Sequence, residues 1–252
     1  MNPSHSLFAA HISDGVLRPW PQLVGLATAL FLVGVALRRL KDGDVPRIVL
    51  CTAVFFTASL IHVKAGPTSV HLLLNGLMGM LLGFQAVIPI ALGLFMQAVL
   101  FGHGGFLVWG VNCCIFFLPA LMAPHLFLVL QPRRTTPDPI ALPFAMALGY
   151  LLCPIATLPI WLAGQWLWLK IDRQTPFVAG FGVGFLGVVM TVTLEAGTLM
   201  MAGNADWKWI AGFVFLCHLP VALIEGMIVG FAVEAIATSR PELLDGACRS
   251  SM

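Results

Sequence analysis

Charge is what this chain has least of. Only 10 % of its 252 residues are Asp, Glu, Lys or Arg, while 59 % are hydrophobic; a soluble domain carries about 25 % charged residues. Thirteen basic and eleven acidic side chains cannot solvate the surface of a folded chain of this length. Lipid has to replace water as the outer solvent. A net charge of +2 with no basic stripe excludes a nucleic-acid surface. There is no CxxC pair, and Cys51, Cys113, Cys114, Cys153, Cys217 and Cys248 fall mostly inside apolar stretches, which argues against a disulfide framework. Residues 1–10 hold no Lys or Arg and only a short apolar run, Leu7 to Ala10. That reads against a secretory signal and leaves insertion to the first membrane helix. No Walker motif is present, so ATP is not hydrolysed by that route, and no HExxH supports a zinc protease. Gly102-His103-Gly104-Gly105 is too short to cradle phosphate and predicts a tight reversal instead.

What the chain does have is long apolar runs. Eight are found, at 20–40, 47–62, 70–84, 86–101, 106–130, 140–169, 177–201 and 209–238, with the third and fourth forming a close pair around 83–86. A helix needs about 20 residues to cross a ~30 Å hydrocarbon core. The fold class expected is therefore all-α: a polytopic transmembrane helical bundle in one integral-membrane domain, 1–252. If all eight runs cross, Lys and Arg divide 7 to 6 between the two sides. If 140–169 makes no net crossing the division becomes 10 to 3, which the positive-inside rule prefers. Pro143, Pro154 and Pro159 fit a broken or re-entrant stretch there. Seven net crossings follow, with 1–19 as an outer N-terminal segment, 20–238 as the bundle and 239–252 as a cytoplasmic tail. Close Gly and Ala spacings, among them Gly180/Gly184 and Gly226/Gly230, predict tight helix contacts in lipid.

This orientation gathers histidines. His5, His11, His62, His71 and His103 all fall in outer segments, and only His125 and His218 lie elsewhere. Imidazole suits nickel, cobalt, zinc and copper, whereas Mg²⁺ prefers oxygen. The cluster fits capture of a late first-row metal at an outward mouth; singly, each histidine is as well explained by a hydrogen bond to a loop carbonyl. Within the bilayer, Glu195, Glu225 and Glu234 are function candidates by default. His218 and Glu225 share a helix face seven residues apart, which a buried structural contact explains as well as catalysis does.

Four segments resemble the CbiM/NikM family, the substrate-binding membrane components of cobalt and nickel energy-coupling-factor transporters. They are His11-Ile12-Ser13-Asp14-Gly15-Val16-Leu17, Pro67-Thr68-Ser69-Val70-His71-Leu72-Leu73, the block from Gln97 through Leu100-Phe101-Gly102-His103-Gly104-Gly105 to Gly110-Val111-Asn112, and His218-Leu219-Pro220-Val221-Ala222-Leu223-Ile224-Glu225-Gly226. Arg240-Pro241-Glu242-Leu243 continues the last. The resemblance implies His11 and His71 as metal ligands, with His62, His103, Asn112, Asp14 and Ser69 as further ligands or supports. It implies Co²⁺ or Ni²⁺ as transported substrate. As partners it implies a coupling transmembrane subunit, ABC-type ATPase subunits and, in some members, a small accessory membrane subunit. In the family the histidine of the opening is the second residue, so a free amine joins the coordination; here ten residues precede His11, and cleavage between Ala9 and Ala10 would restore that amine. Pro67 and Val70 stand in place of two usual glycines. A second reading is a membrane enzyme or assembly factor using His218, Glu195 and Glu225. Whether the metal sits at the outer mouth or at mid-membrane separates the two.

Overall fold

The structure is a computed structural model that describes residues 11–61, 63–65, 68–130, 175–205 and 207–244. These residues form seven α-helices: α1 (Pro19–Arg38), α2 (Val45–Ser59), α3 (Asn75–Leu82), α4 (Val87–Phe101), α5 (Trp109–Leu130), α6 (Pro176–Ala202) and α7 (Lys208–Ser239). A short antiparallel pair, β1 (Val63–Ala65) and β2 (Thr68–Val70), joins α2 to α3. Each expected apolar run corresponds to one helix except 140–169, which lies outside the described residues. α1 and α6 both open on proline, whose missing N–H costs nothing in a first turn. α1 ends on Arg38, a cation at the carbonyl end of the helix. Large apolar side chains point outward from the bundle: Leu23, Phe31, Leu50, Leu216 and Phe231 are each more than half exposed. Such a surface belongs in lipid.

By length and composition α1, α5, α6, α7 and the run Asn75–Phe101 could each cross a membrane. The last of these is not a straight rod. A 3₁₀ turn, Gly83–Ala86, breaks it, and Gly83 has φ +54°, a conformation open to glycine at little cost. The Arg39 guanidinium lies over the Phe84 ring, 5.4 Å from its centroid, so this turn sits beside the end of α1. α3 descends to the turn and α4 climbs back. Gly79 of α3 meets the Ala120 carbonyl of α5 so closely that no Cβ would fit.

Contacts at the helix ends fix direction. The Arg18 amide donates to the Ala202 carbonyl at 3.0 Å, and the Asn204 amide donates to Val16 at 2.9 Å. The starts of α1 and α7 therefore share one side with the end of α6. On the other side Leu130, the last residue of α5, packs on Gly182 near the start of α6. The chain thus leaves α5 and enters α6 on the same side. Gly180 and Gly184 receive Val233 and Val229, while Gly226 and Gly230 receive Phe181 and Phe177. All four glycines lie in one interface, the α6–α7 hairpin.

Candidate metal site

Two imidazoles meet inside the bundle. His11 Nε2 lies 3.2 Å from His71 Nε2 and 2.8 Å from Gln97 Oε1. Both rings are buried, at 2 % and 3 % exposure, and the Phe116 ring lies 5.1 Å from that of His11. The pair is enclosed rather than lodged at an open mouth. Hydrogen-bond chemistry assigns the protons. The Gln97 amide nitrogen donates to Ser59 Oγ at 2.7 Å, so its oxygen faces His11 and must accept. His71 Nδ1 lies 2.8 Å from the Leu72 carbonyl, which can only accept, so Nδ1 carries the proton. Neutral His71 then presents the Nε2 lone pair to the centre. A ring held through Nδ1–H to a carbonyl, with Nε2 left for a metal, is a usual pose of a ligating histidine.

Neither histidine stands on a helix. His11 opens the segment before α1, and His71 lies between β2 and α3. Non-helical backbone at membrane depth survives only when its polar groups find partners inside the protein. Polar side chains supply those partners, Asn112 from a buried position and Asp14 from an exposed one. Asn112, near the start of α5, accepts from the Ile12 amide at 3.1 Å and donates to the Ile12 carbonyl at 2.9 Å. Asp14 accepts from the amides of Phe106, Leu107 and Val108 at 2.9–3.1 Å. Those amides directly precede α5, so the carboxylate also complements the positive end of its dipole. Gly104, at φ +77°, faces His11 and Asn112, whose side chains a Cβ at this position would meet.

On the other flank Glu225 of α7 accepts from the Leu73 and Leu74 amides, both at 2.7 Å, and is fully buried. Leu74 has φ +48°, the only positive φ outside glycine among the described residues. Such a conformation persists where the surroundings over-determine it. One residue on, the Asn75 side-chain Nδ2 donates to Thr191 Oγ1 of α6 at 2.7 Å.

The other sequence-predicted residues distribute as follows. His103 is half-buried; its backbone amide donates to the Gln97 carbonyl at 3.2 Å and its ring lies beside Phe101. Ser69 is buried in β2. His62 and His5 lie outside the described residues. His218 is fully buried in α7, with Nδ1 donating to Val214 O at 2.7 Å and Nε2 unpartnered. Glu195 is buried in α6. Among the described residues no group of three or more His, Cys, Asp or Glu side chains is placed to hold a metal ion. Sequence reasoning missed the ring partner Gln97 and the Ser59 hydroxyl behind it. The signal was available: Gln97 is the one polar side chain in α4, VIPIALGLFMQAVLF.

The arrangement defines a polytopic helical membrane protein with neutral imidazoles converging in its interior, chemistry suited to a transition-metal cation. Comparison with known proteins agrees. The family described as CbiM, cobalt uptake substrate-specific transmembrane region, matches residues 11–165 and 146–243. The chain belongs to that family and is a membrane component of transition-metal transport. It is 29 % identical over 236 residues to a metal transport protein of Haemophilus influenzae, covering 93 % of this chain and 97 % of that one. It is 34 % identical over 110 residues to the fused nickel transport protein NikMN of Rhodobacter capsulatus, covering 41 % and 31 % of the two chains. Two solved structures of transition metal transporters, one of them truncated, share the fold. The full form has a TM-score of 0.64 at 22 % identity, covering 95 % of this chain and 99 % of that one. The truncated form has a TM-score of 0.61 at 23 % identity, covering 90 % and 98 %.

Proposed function

We propose that the chain is the substrate-binding subunit of an ATP-driven cobalt or nickel uptake transporter, and that one Co²⁺ or Ni²⁺ binds between His11 and His71. The observation that carries this reading is the approach of two buried imidazole nitrogens to 3.2 Å from segments sixty residues apart. Metal entry requires His11 to carry its proton on Nδ1, the other neutral tautomer, so that Nε2 is freed, and draws on the lone pair His71 already presents. In the family an amine and a main-chain nitrogen complete the shell, and here cleavage between Ala9 and Ala10 would supply that amine beside His11, while Asn112, Asp14, Ser69 and His103 act as supports. The chain performs no chemistry of its own. Energy comes from ABC-type ATPases through a coupling transmembrane subunit, with a small accessory membrane subunit as a further member of the assembly.

In this reading the protein is one integral unit of the inner membrane. Its N-terminus is outside and its C-terminus cytoplasmic, with seven net crossings. The 10 to 3 division of Lys and Arg supports that orientation. Arg133 and Lys170 then share the cytoplasmic side. Cysteines placed at both positions should resist an impermeant thiol reagent applied from outside; labelling at 170 but not at 133 sinks the seven-crossing arrangement.

Equilibrium binding of Co²⁺ and Ni²⁺ to the purified protein tests the site. His11→Ala and His71→Ala should each abolish most binding, with His218→Ala retaining it. Full affinity in the first two variants, with loss in the third, would move the metal to mid-membrane beside the last two helices. Binding should also weaken as pH falls below about 6.5, where an ordinary imidazole takes up a proton and ceases to be a ligand. The direction is fixed: metal competes with protons, so affinity rises with pH through that range.

A further inference from the structure

Glu225 lies 17 residues into α7, about 26 Å along the axis from the helix start. Among the described residues its carboxylate has no salt-bridge cation, and it accepts from two main-chain amides, Leu73 and Leu74. Those amides follow His71 by two and three residues. We propose that Glu225 is a positioning residue of the metal site: it sets the left-handed turn at Leu74 and thereby aims His71 Nε2 at His11. This rests on the reading of His11 and His71 as ligands.

Three observations converge on it. First, a carboxylate that accepts from two adjacent amides fixes their orientation as a pair, which one amide–carbonyl bond would not do. Second, Leu74, which carries the second of those amides and is the last residue before α3, holds the one non-glycine positive φ among the described residues. Leu is a poor choice for that conformation, so the turn needs an external partner, and Glu225 is that partner. Third, the holders of the two histidines belong to different parts of the bundle. His11 is held from α2, α4 and α5 through Ser59, Gln97 and Asn112. His71 is held from α7 through Glu225, with Asn75 on Thr191 of α6 beside it. The distance between the imidazoles therefore depends on where the α6–α7 hairpin stands. A shift of that hairpin away from α5 carries the Leu73–Leu74 turn, and His71 with it, away from His11. Glu225 is the link through which movement of the last helix reaches the metal.

The test uses the full-length protein in detergent micelles. Glu225→Gln keeps the side-chain volume but puts an NH₂ against one of the two amides. It should weaken Co²⁺ affinity about 10–100-fold, the range for groups that orient a ligand. At saturating Co²⁺ its visible absorption should depart from the wild type, because the coordination changes and not only the stability. In the metal-free protein the Leu73 and Leu74 amides should lose hydrogen-exchange protection. Thr191→Val breaks the neighbouring contact without touching those amides and should leave the absorption as in the wild type. Should Glu225→Gln fail to fold, Glu225→Asp, which keeps the charge and shortens the reach, replaces it with the same readouts. Wild-type affinity and absorption in the Glu225 variant overturn the proposal, as do Leu73 and Leu74 amides that exchange freely in the wild type. Wild-type affinity in His71→Ala is a separate failure: it removes the ligand assignment, while amide exchange still reports on Glu225 without metal.

Discussion

The two histidines are held by different means, and the contrast explains the polar residues buried in this lipid-facing chain. On the side of α2, α4 and α5, side chains act on the His11 ring and its neighbouring backbone: Gln97 touches the imidazole, Ser59 orients Gln97, and Asn112 pairs with both polar groups of Ile12. On the side of α6 and α7, the contacts run to the backbone that follows His71, where Glu225 accepts from the Leu73 and Leu74 amides. The His11 ring takes a partner from α4, whereas the His71 ring bonds to the carbonyl of its own neighbour, Leu72, and so follows the path of that backbone. Asn112 and Glu225 each serve a non-helical segment that would otherwise bring unsatisfied amides into the membrane. Function and solvation are met by the same atoms.

The largest expected effect comes from removing the rings themselves. Adding His71→Ala to His11→Ala should cost little beyond either single change, because groups that share one ion act as a unit. Additive losses would mean that the two rings serve separate sites. Next come the holders on the His11 side. Gln97→Ala and Asn112→Ala should each weaken Co²⁺ binding about 10–100-fold, as expected for partners that orient a ligand. Titration against Co²⁺ and Ni²⁺ reads this directly, and an unchanged affinity in Gln97→Ala would make its contact with His11 incidental. The smallest effect belongs to the contact that supports α3 without touching either ring. Thr191→Val should lower stability by about 0.6 kcal/mol, the average for a hydrogen bond between membrane helices. Its metal affinity should stay at the wild-type value.

Much of this was legible in the sequence, and the exceptions share a cause. Hydropathy located seven helices to within a few residues and marked the break at 83–86, because each depends on local composition. His11 and His71 stood out through their motifs, and the structure brings their rings together. The enclosure of the site was not legible. Both histidines are buried within the protein, and the turn that follows His71 bonds to a residue well inside α7. Hydropathy assigns non-helical residues to the membrane surface; it does not register an extended segment that folds back among the helices. Glu225 suffered from the same blindness. In the sequence it reads as a buried structural contact on the helix face of His218, since its partners are main-chain amides 151 and 152 residues away. Only the tertiary fold brings them together.

The most direct test of a shared site counts imidazoles on the bound ion. X-ray absorption at the nickel edge distinguishes imidazole from other nitrogen donors through multiple scattering from the ring. Ni²⁺ bound to the wild-type protein should show two imidazoles, and His218→Ala should show the same two. A wild-type spectrum without imidazole, or one that loses an imidazole in His218→Ala, would contradict a metal held between His11 and His71.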